Sequence, residues 1–364
     1  MSHLAPATPA PAFVSPPKQS PRPAQRLRVR ALATALGVAA LGAMGIGLAL
    51  PAWAAGAGGT VGGSASPAWP SQPLKLVVGF PAGSSPDITA RTLAEPLSQA
   101  LGQPVVVENK PGAGGNIAAA AVAHATDGHT LGLMINGNLT IAKILNPKTP
   151  YDPLKDLAPV SLVATAPLLL VAPAAQVEQG KAFLAAAQAG GNTWNYGTPG
   201  VGTVAHLGME LLKTRANLAA VHVPYPGNPQ VITGMLGGQI HMALLPPGLA
   251  MPQVRAGKLR AIGLTSTGRS GLVPDVPSLS EAGVKDFQLE IWNAVAAPAN
   301  LPPAHIQAVA QALTEIVRRP DMRQKLFNQG WQVVGTAPEG LARRIQAETA
   351  QLSAIIRAQG IQSQ

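Results

Sequence analysis

Three short loops carry residue types from which a binding site can be built: 80–87 (FPAGSSPD), 136–140 (NGNLT) and 197–203 (GTPGVGT). All three lack Lys and Arg, and each follows a strand-like run. The first and third lead into predicted helices. Small residues let backbone amides approach a ligand, and a helix amino terminus offers about half a positive charge. Such loops can hold a carboxylate through N–H groups and hydroxyls, without arginine. In α/β folds, ligands sit at these carboxyl ends of strands. Gly, Pro, Ser and Asn are also what turns require, so the loops alone leave binding and plain turn geometry both open.

Catalytic templates fail. There is no G-x-S-x-G and no H-E-x-x-H, and the chain has no cysteine. That excludes thiol catalysis, zinc ribbons and cysteine-ligated clusters. His124 and His129 lie five apart across a turn and do not share a helical face. His3 falls in the amino-terminal segment, and the other histidines read as surface or capping residues. The run 112–117 (GAGGNI) starts like a dinucleotide fingerprint, but Ile117 replaces its third glycine. Asn136 and Asn138, not an acid, follow the next strand. A structural turn with Asn116 capping a helix is the reading.

These loops need strands and helices to hold them. Apolar runs predict strands at 74–80, 105–107, 131–135, 168–172, 220–223, 240–244 and 260–264. Helical spacing covers 88–101, 117–125, 180–188, 203–214 and 229–236, then most of 303–358. This alternation predicts an α/β fold with mainly parallel sheets. A length of 364 residues suits two domains or one bilobed protein.

The amino terminus reads as an address. Residues 26–30 are a basic run, 31–50 are apolar, and 52–54 (AWA) form a small-residue cleavage site. Residues 1–54 are expected to be a cleavable signal peptide, the alternative being an uncleaved inner-membrane anchor at 31–50. Residues 55–71 read as a flexible lead-in. Half of the net charge of +10 lies in residues 1–54, and only 4% of the chain is aromatic, so there is no nucleic-acid footprint.

Several segments in order resemble the Bug receptors, the solute-binding receptors of tripartite tricarboxylate transporters. They include 77–116 (VVGFPAGSSPDITARTLAEPLSQALGQPVVVENKPGAGGN), 195–207 (NYGTPGVGTVAHL), 221–229 (VHVPYPGNP), 254–266 (VRAGKLRAIGLTS) and 274–283 (PDVPSLSEAG). The resemblance implies a two-lobed, type II periplasmic-binding-protein fold that closes on its ligand like a flytrap. Lobe one is expected at 72–172 plus 294–364, and lobe two at 173–293. Carried over residue by residue, the implied ligand contacts are Phe80, Pro81, Ala82, Gly83, Ser84, Ser85, Asn136, Asn138, Thr198, Pro199, Gly200, Gly202, Thr203 and His206. Asp87 is expected to cap the helix and shape its loop, because like charges repel.

The implied function is a periplasmic receptor that captures a small organic acid and delivers it to membrane permease subunits. A monomer is expected, with no catalysis, cofactor, metal or nucleic acid. Departures from the family pattern are Ser84 for a second glycine, Pro86 without an N–H, Pro226 where a basic residue is frequent, and His241 and Leu245 where acids are common. The distal wall is therefore expected to be more apolar than usual. The alternatives are a ligand sensor or interaction protein without transport duty, and an α/β nucleotide-dependent enzyme using the glycine turn.

Overall fold

The computed structural model describes residues 69–176 and 178–359. The segments expected to be a signal peptide or an anchor, and most of the expected lead-in, lie outside them. Among the described residues, no helix is long and apolar enough to cross a membrane. Trp69 stacks on His305 at 4.2 Å and donates to the Gly128 carbonyl, fixing the start of the folded region.

The chain first forms β1 (Leu74–Val78), α1 (Ser85–Leu101), β2 (Val105–Asn109), α2 (Asn116–Ala123), β3 (Thr130–Ile135), α3 (Asn136–Thr140), α4 (Ala142–Leu145) and β4 (Leu157–Pro167). It then builds a second sheet from β5 (Leu169–Pro173), α5 (Gly180–Gly190), β6 (Asn195–Thr198), α6 (Val204–Ala216), β7 (Val221–Pro224), α7 (Asn228–Leu236), β8 (Met242–Leu245), α8 (Pro247–Arg255) and β9 (Leu259–Leu264). It returns with β10 (Glu290–Pro298), α9 (Pro303–Arg318), α10 (Pro320–Asn328), β11 (Gln332–Val333) and α11 (Pro338–Gln359).

The first sheet has the order β11-β4-β10-β3-β1-β2 and the second β7-β6-β8-β5-β9. The two-lobed α/β architecture is the expected one, but the sheets are mixed rather than mainly parallel. β1 runs parallel to β2 and β3, and β6 to β7 and β8. β10 runs antiparallel to β3 and β4, and β5 antiparallel to β8 and β9. The reason is the crossing. Parallel strands of both lobes end at the cleft, whereas β5 and β10 enter from the other lobe, start at the cleft and run away from it. The crossings fall at Leu168 and at Leu289–Glu290.

Both faces of each sheet are covered, so the central strands read as near-continuous apolar runs. In β1 only Lys75 is exposed. Leu93 and Leu97 of α1 pack with Leu313 and Ile316 of α9 on one face of the first sheet. Val122 of α2, Trp292 and Leu341 of α11 cover the other. The second sheet lies between Phe183 of α5 with Leu207 of α6 and Val231 of α7 with Ala250 of α8. Helix α11 serves both lobes: Leu341 and Ile345 join the first core, Leu352 and Ile356 the second.

Candidate functional site

The loop after β1 is shaped by Asp87. Its carboxylate accepts the Gly83 N–H at 2.9 Å, the Asn109 Nδ2 at 2.8 Å and the Arg91 Nε at 3.0 Å. Burial pushes this carboxyl upward, but the bonds from Arg91, Asn109 and Gly83 outweigh it and leave Asp87 below the usual range. Ser84 precedes α1 without capping it, and its hydroxyl is buried with no partner. Pro86, lacking an N–H, sits in the first helical turn, where that N–H would be unpaired anyway.

In lobe two the turn after β6 is built on Thr203, which caps α6. Its hydroxyl accepts the His206 N–H at 3.3 Å and donates to the Gly200 carbonyl at 2.8 Å. Beneath it lies a part-buried network. Thr198 Oγ1 is 2.7 Å from His222 Nε2, and His206 stacks on His222 at 4.5 Å. The Tyr196 hydroxyl donates to Glu210, which is ion-paired with Lys213 at 3.1 Å. Burial lowers both histidines, His222 to about 4. Burial alone would raise Glu210, but the Tyr196 and Lys213 bonds leave it below its ordinary value. Burial also pushes the Tyr196 phenol far up, so it stays a donor.

The lobes meet backbone to backbone. A Cβ on Gly114 would lie 2.4 Å from the Val201 carbonyl oxygen, and one on Gly137 would lie 2.5 Å from that of Gly202. Only glycine permits such an approach. The turn 112–116 thus serves lobe contact. Asn116 does not cap α2 from outside but stands in its first turn, with Oδ1 accepting from Asn138 Nδ2 at 2.8 Å.

Between the lobes lies a cavity of about 40 Å³. The amino-terminal ends of α1, α6 and α7 reach it through Ser85, Val204 and Asn228, and no Lys, Arg, Asp or Glu lines it. Of the sequence-predicted contacts, Phe80, Ser85, Asn136, Pro199 and Thr203 line it. The others surround it. Asn138 braces the 114 turn through the Gly114 carbonyl at 3.0 Å. Thr198 and His206 belong to the network under the turn, and Gly200 and Gly202 face lobe one. Pro81, Ala82, Gly83 and Ser84 lie outside the lining, with Pro81 packed near Gly227.

Several lining residues escaped the sequence reading: Leu168, Asn228, Ile291, Asn293 and Trp331. Asn228 follows β7 in the segment 221–229 and opens a helix, a signal of the same kind as the loops 80–87 and 197–203. The others come from the crossing strands and a distant carboxy-terminal turn, where nothing local marks them.

Two mixed sheets, two crossings and a cavity lined from both lobes define a two-lobed solute-binding protein. The profile of the tripartite tricarboxylate transporter family receptor, TctC, matches residues 89–361. The chain belongs to this family of periplasmic solute-binding receptors. It is 34% identical over 285 residues to the UPF0065 protein in the tcbD-tcbE intergenic region of Pseudomonas sp. (strain P51), covering 78% of this chain and 84% of the relative. It is 33% identical over 295 residues to the protein BugT of Bordetella pertussis, covering 80% and 90%. Among solved structures, MatC from Rhodopseudomonas palustris with bound malate has a TM-score of 0.76 at 31% identity, covering 79% of this chain and 100% of that one. R. palustris Rpa4515 with adipate has a TM-score of 0.77 at 28% identity, covering 81% and 99%.

Proposed function

We propose that this protein is a non-catalytic receptor that captures a small organic acid anion between its lobes and presents it to membrane permease subunits. The observation that carries the reading is the convergence of α1, α6 and α7 by their amino termini on a cavity with no charged side chain. Unpaired first-turn amides and helix dipoles favour an anion. A carboxylate that accepts two or three N–H bonds needs no cationic partner. The malate and adipate bound by the two R. palustris relatives support the carboxylate class.

Capture is a population shift. A ligand bridging α1 of one lobe and α6 of the other interacts fully only when the lobes are together, so it favours the closed form by that difference in affinity. The basic and apolar segments before residue 54 support export to the periplasm, with cleavage after 52–54. A thermal-shift screen of the purified protein against organic acids and nucleotides tests the reading. A ligand at 100 times its Kd adds about 2.7 kcal/mol, roughly 2–5 °C for a chain of this size. A rise with carboxylates and none with nucleotides is expected. Silence from every carboxylate overturns the reading.

A further inference from the structure

On the hinge side of the cavity, Asn136 is held in one orientation. Its Nδ2 donates to the Glu348 carboxylate at 2.8 Å and to the Glu290 carbonyl at 2.9 Å. Both partners can only accept, so the amide cannot be flipped: nitrogen faces them and oxygen turns the other way. Glu348 is itself fixed by Trp292 Nε1 at 2.8 Å and Arg344 Nε at 2.9 Å. Asn136 Oδ1 is left buried with no partner in a residue that lines the cavity and is 1% exposed. Asn228, 6% exposed in the opposite lobe, brings a second buried Oδ1 with no partner.

An unmatched buried acceptor is costly until a donor reaches it, and a ligand hydroxyl or ammonium that displaces cavity water supplies that donor. A second carboxylate in place of that donor would set anion against amide oxygen among apolar neighbours such as Leu168 and Ile291, with no cation in the lining. Resting on the carboxylate-receptor reading above, we infer that the ligand is a hydroxy- or amino-substituted monocarboxylate, not an unsubstituted dicarboxylate. Its carboxylate takes the helix amino termini, and its hydroxyl or ammonium donates to Asn136 Oδ1. The cavity is small, about 40 Å³, with room for about three water molecules, so acids of three and four carbons are the first to compare.

Matched acids test this by calorimetric titration of the purified protein. The three-carbon set is propionate, lactate, alanine and malonate. The four-carbon set is butyrate, 2-hydroxybutyrate, 2-aminobutyrate and succinate. The hydroxy or amino member should bind at least about tenfold tighter than its plain and dicarboxylate counterparts, because a site built around a donor rejects analogues lacking it. Asn136→Ala should erase that ratio. Asn228→Ala, outside the Glu348 network, should reduce it in a chain whose fold is not at issue. Malonate or succinate binding as tightly as the hydroxy and amino acids overturns the inference. So does binding of malate or adipate with none of the substituted monocarboxylates, a result that leaves the receptor reading standing. Silence from every acid overturns both.

Discussion

The hydroxyl of Thr265 accepts the backbone N–H of Leu168 at 2.8 Å, tying the end of the second sheet to the first crossing. The same hydroxyl donates to the Leu289 carbonyl at 2.6 Å, at the second crossing. Its backbone completes the arrangement, since Thr265 N–H donates to Leu168 O and Leu289 N–H to Thr265 O, each at 2.9 Å. One fully buried residue therefore joins both strands on which the lobes must turn.

Replacing Thr265 by valine keeps the shape but strands the Leu168 N–H and Leu289 carbonyl without partners. At 1–3 kcal/mol for each of the two buried groups left unmatched, the expected loss is about 2–6 kcal/mol in urea unfolding. Thr265→Ser retains the hydroxyl and should stay within about 1 kcal/mol of the parent. Equal losses in both variants would show that the methyl packing, not the clamp, carries the effect.

Thr203 lines the cavity and caps α6. Thr203→Trp fills the space in front of the helix amino termini while removing the cap, which costs about 1 kcal/mol. Ligand-induced thermal stabilisation should vanish, with the far-UV circular dichroism of the parent retained. Undiminished ligand stabilisation in this variant would move the anion away from the α6 turn.

How much of this was legible beforehand follows from how local each feature is. The unit β1–loop–α1 announces itself, because an apolar run, a Gly/Ser/Pro turn and a helical stretch are adjacent in sequence, whereas β6 is the polar run Asn195–Thr198 and only the Gly-rich turn and helix after it are legible. The strand β5 is legible as the apolar run 168–172, but its direction and that of β10 are not, since direction is set by the lobe from which the chain arrives. The loop 136–140 folds instead as the short helix α3, with Asn138 turned onto Gly114 and Asn116. The spacing of the two asparagines could not separate the residue lining the cavity, Asn136, from the one bracing the neighbouring turn. Trp331, Ile291 and Thr265 owe their positions to contacts between distant segments, and no local pattern carries that information.

Gly137 offers a clean block on closure. It lies within α3 without a positive φ, so alanine is no strain to its own backbone, yet its Cβ would stand 2.5 Å from the Gly202 oxygen across the cleft. Gly137→Ala should leave the unfolding free energy within about 1 kcal/mol of the parent, since alanine is the better helix former. Ligand affinity should fall by about tenfold or more, and small-angle scattering should report a larger radius of gyration at saturating ligand. A variant that binds and compacts normally would mean the two lobes do not approach at this point.

The paired histidines under the lobe-two turn set a pH dependence. His222 on β7 is packed against Tyr196 of β6 and His206 of α6, with Glu210 and Lys213 of α6 also acting on it. Burial lowers it from 6.5 to about 4, so the folded state prefers it neutral while the unfolded chain takes up a proton below about pH 6.5. Stability should therefore be level above pH 6.5 and decline between there and pH 4. The slope limit is about 1.4 kcal/mol per pH unit for one group. With His222 only part-buried, a total near 1–2 kcal/mol is expected once solvent screening is allowed for. Glu210, whose value is lowered, contributes in the opposite sense of charge: its stabilisation is present above its unfolded value of 4.5 and is lost only as pH falls through its lower folded value. The two windows separate the groups. Urea unfolding at intervals from pH 7.5 to 4 should show the decline in the parent, and His222→Gln should reduce it to the share left by His206, which burial also lowers. An unchanged slope in that variant would assign the decline to His206 instead.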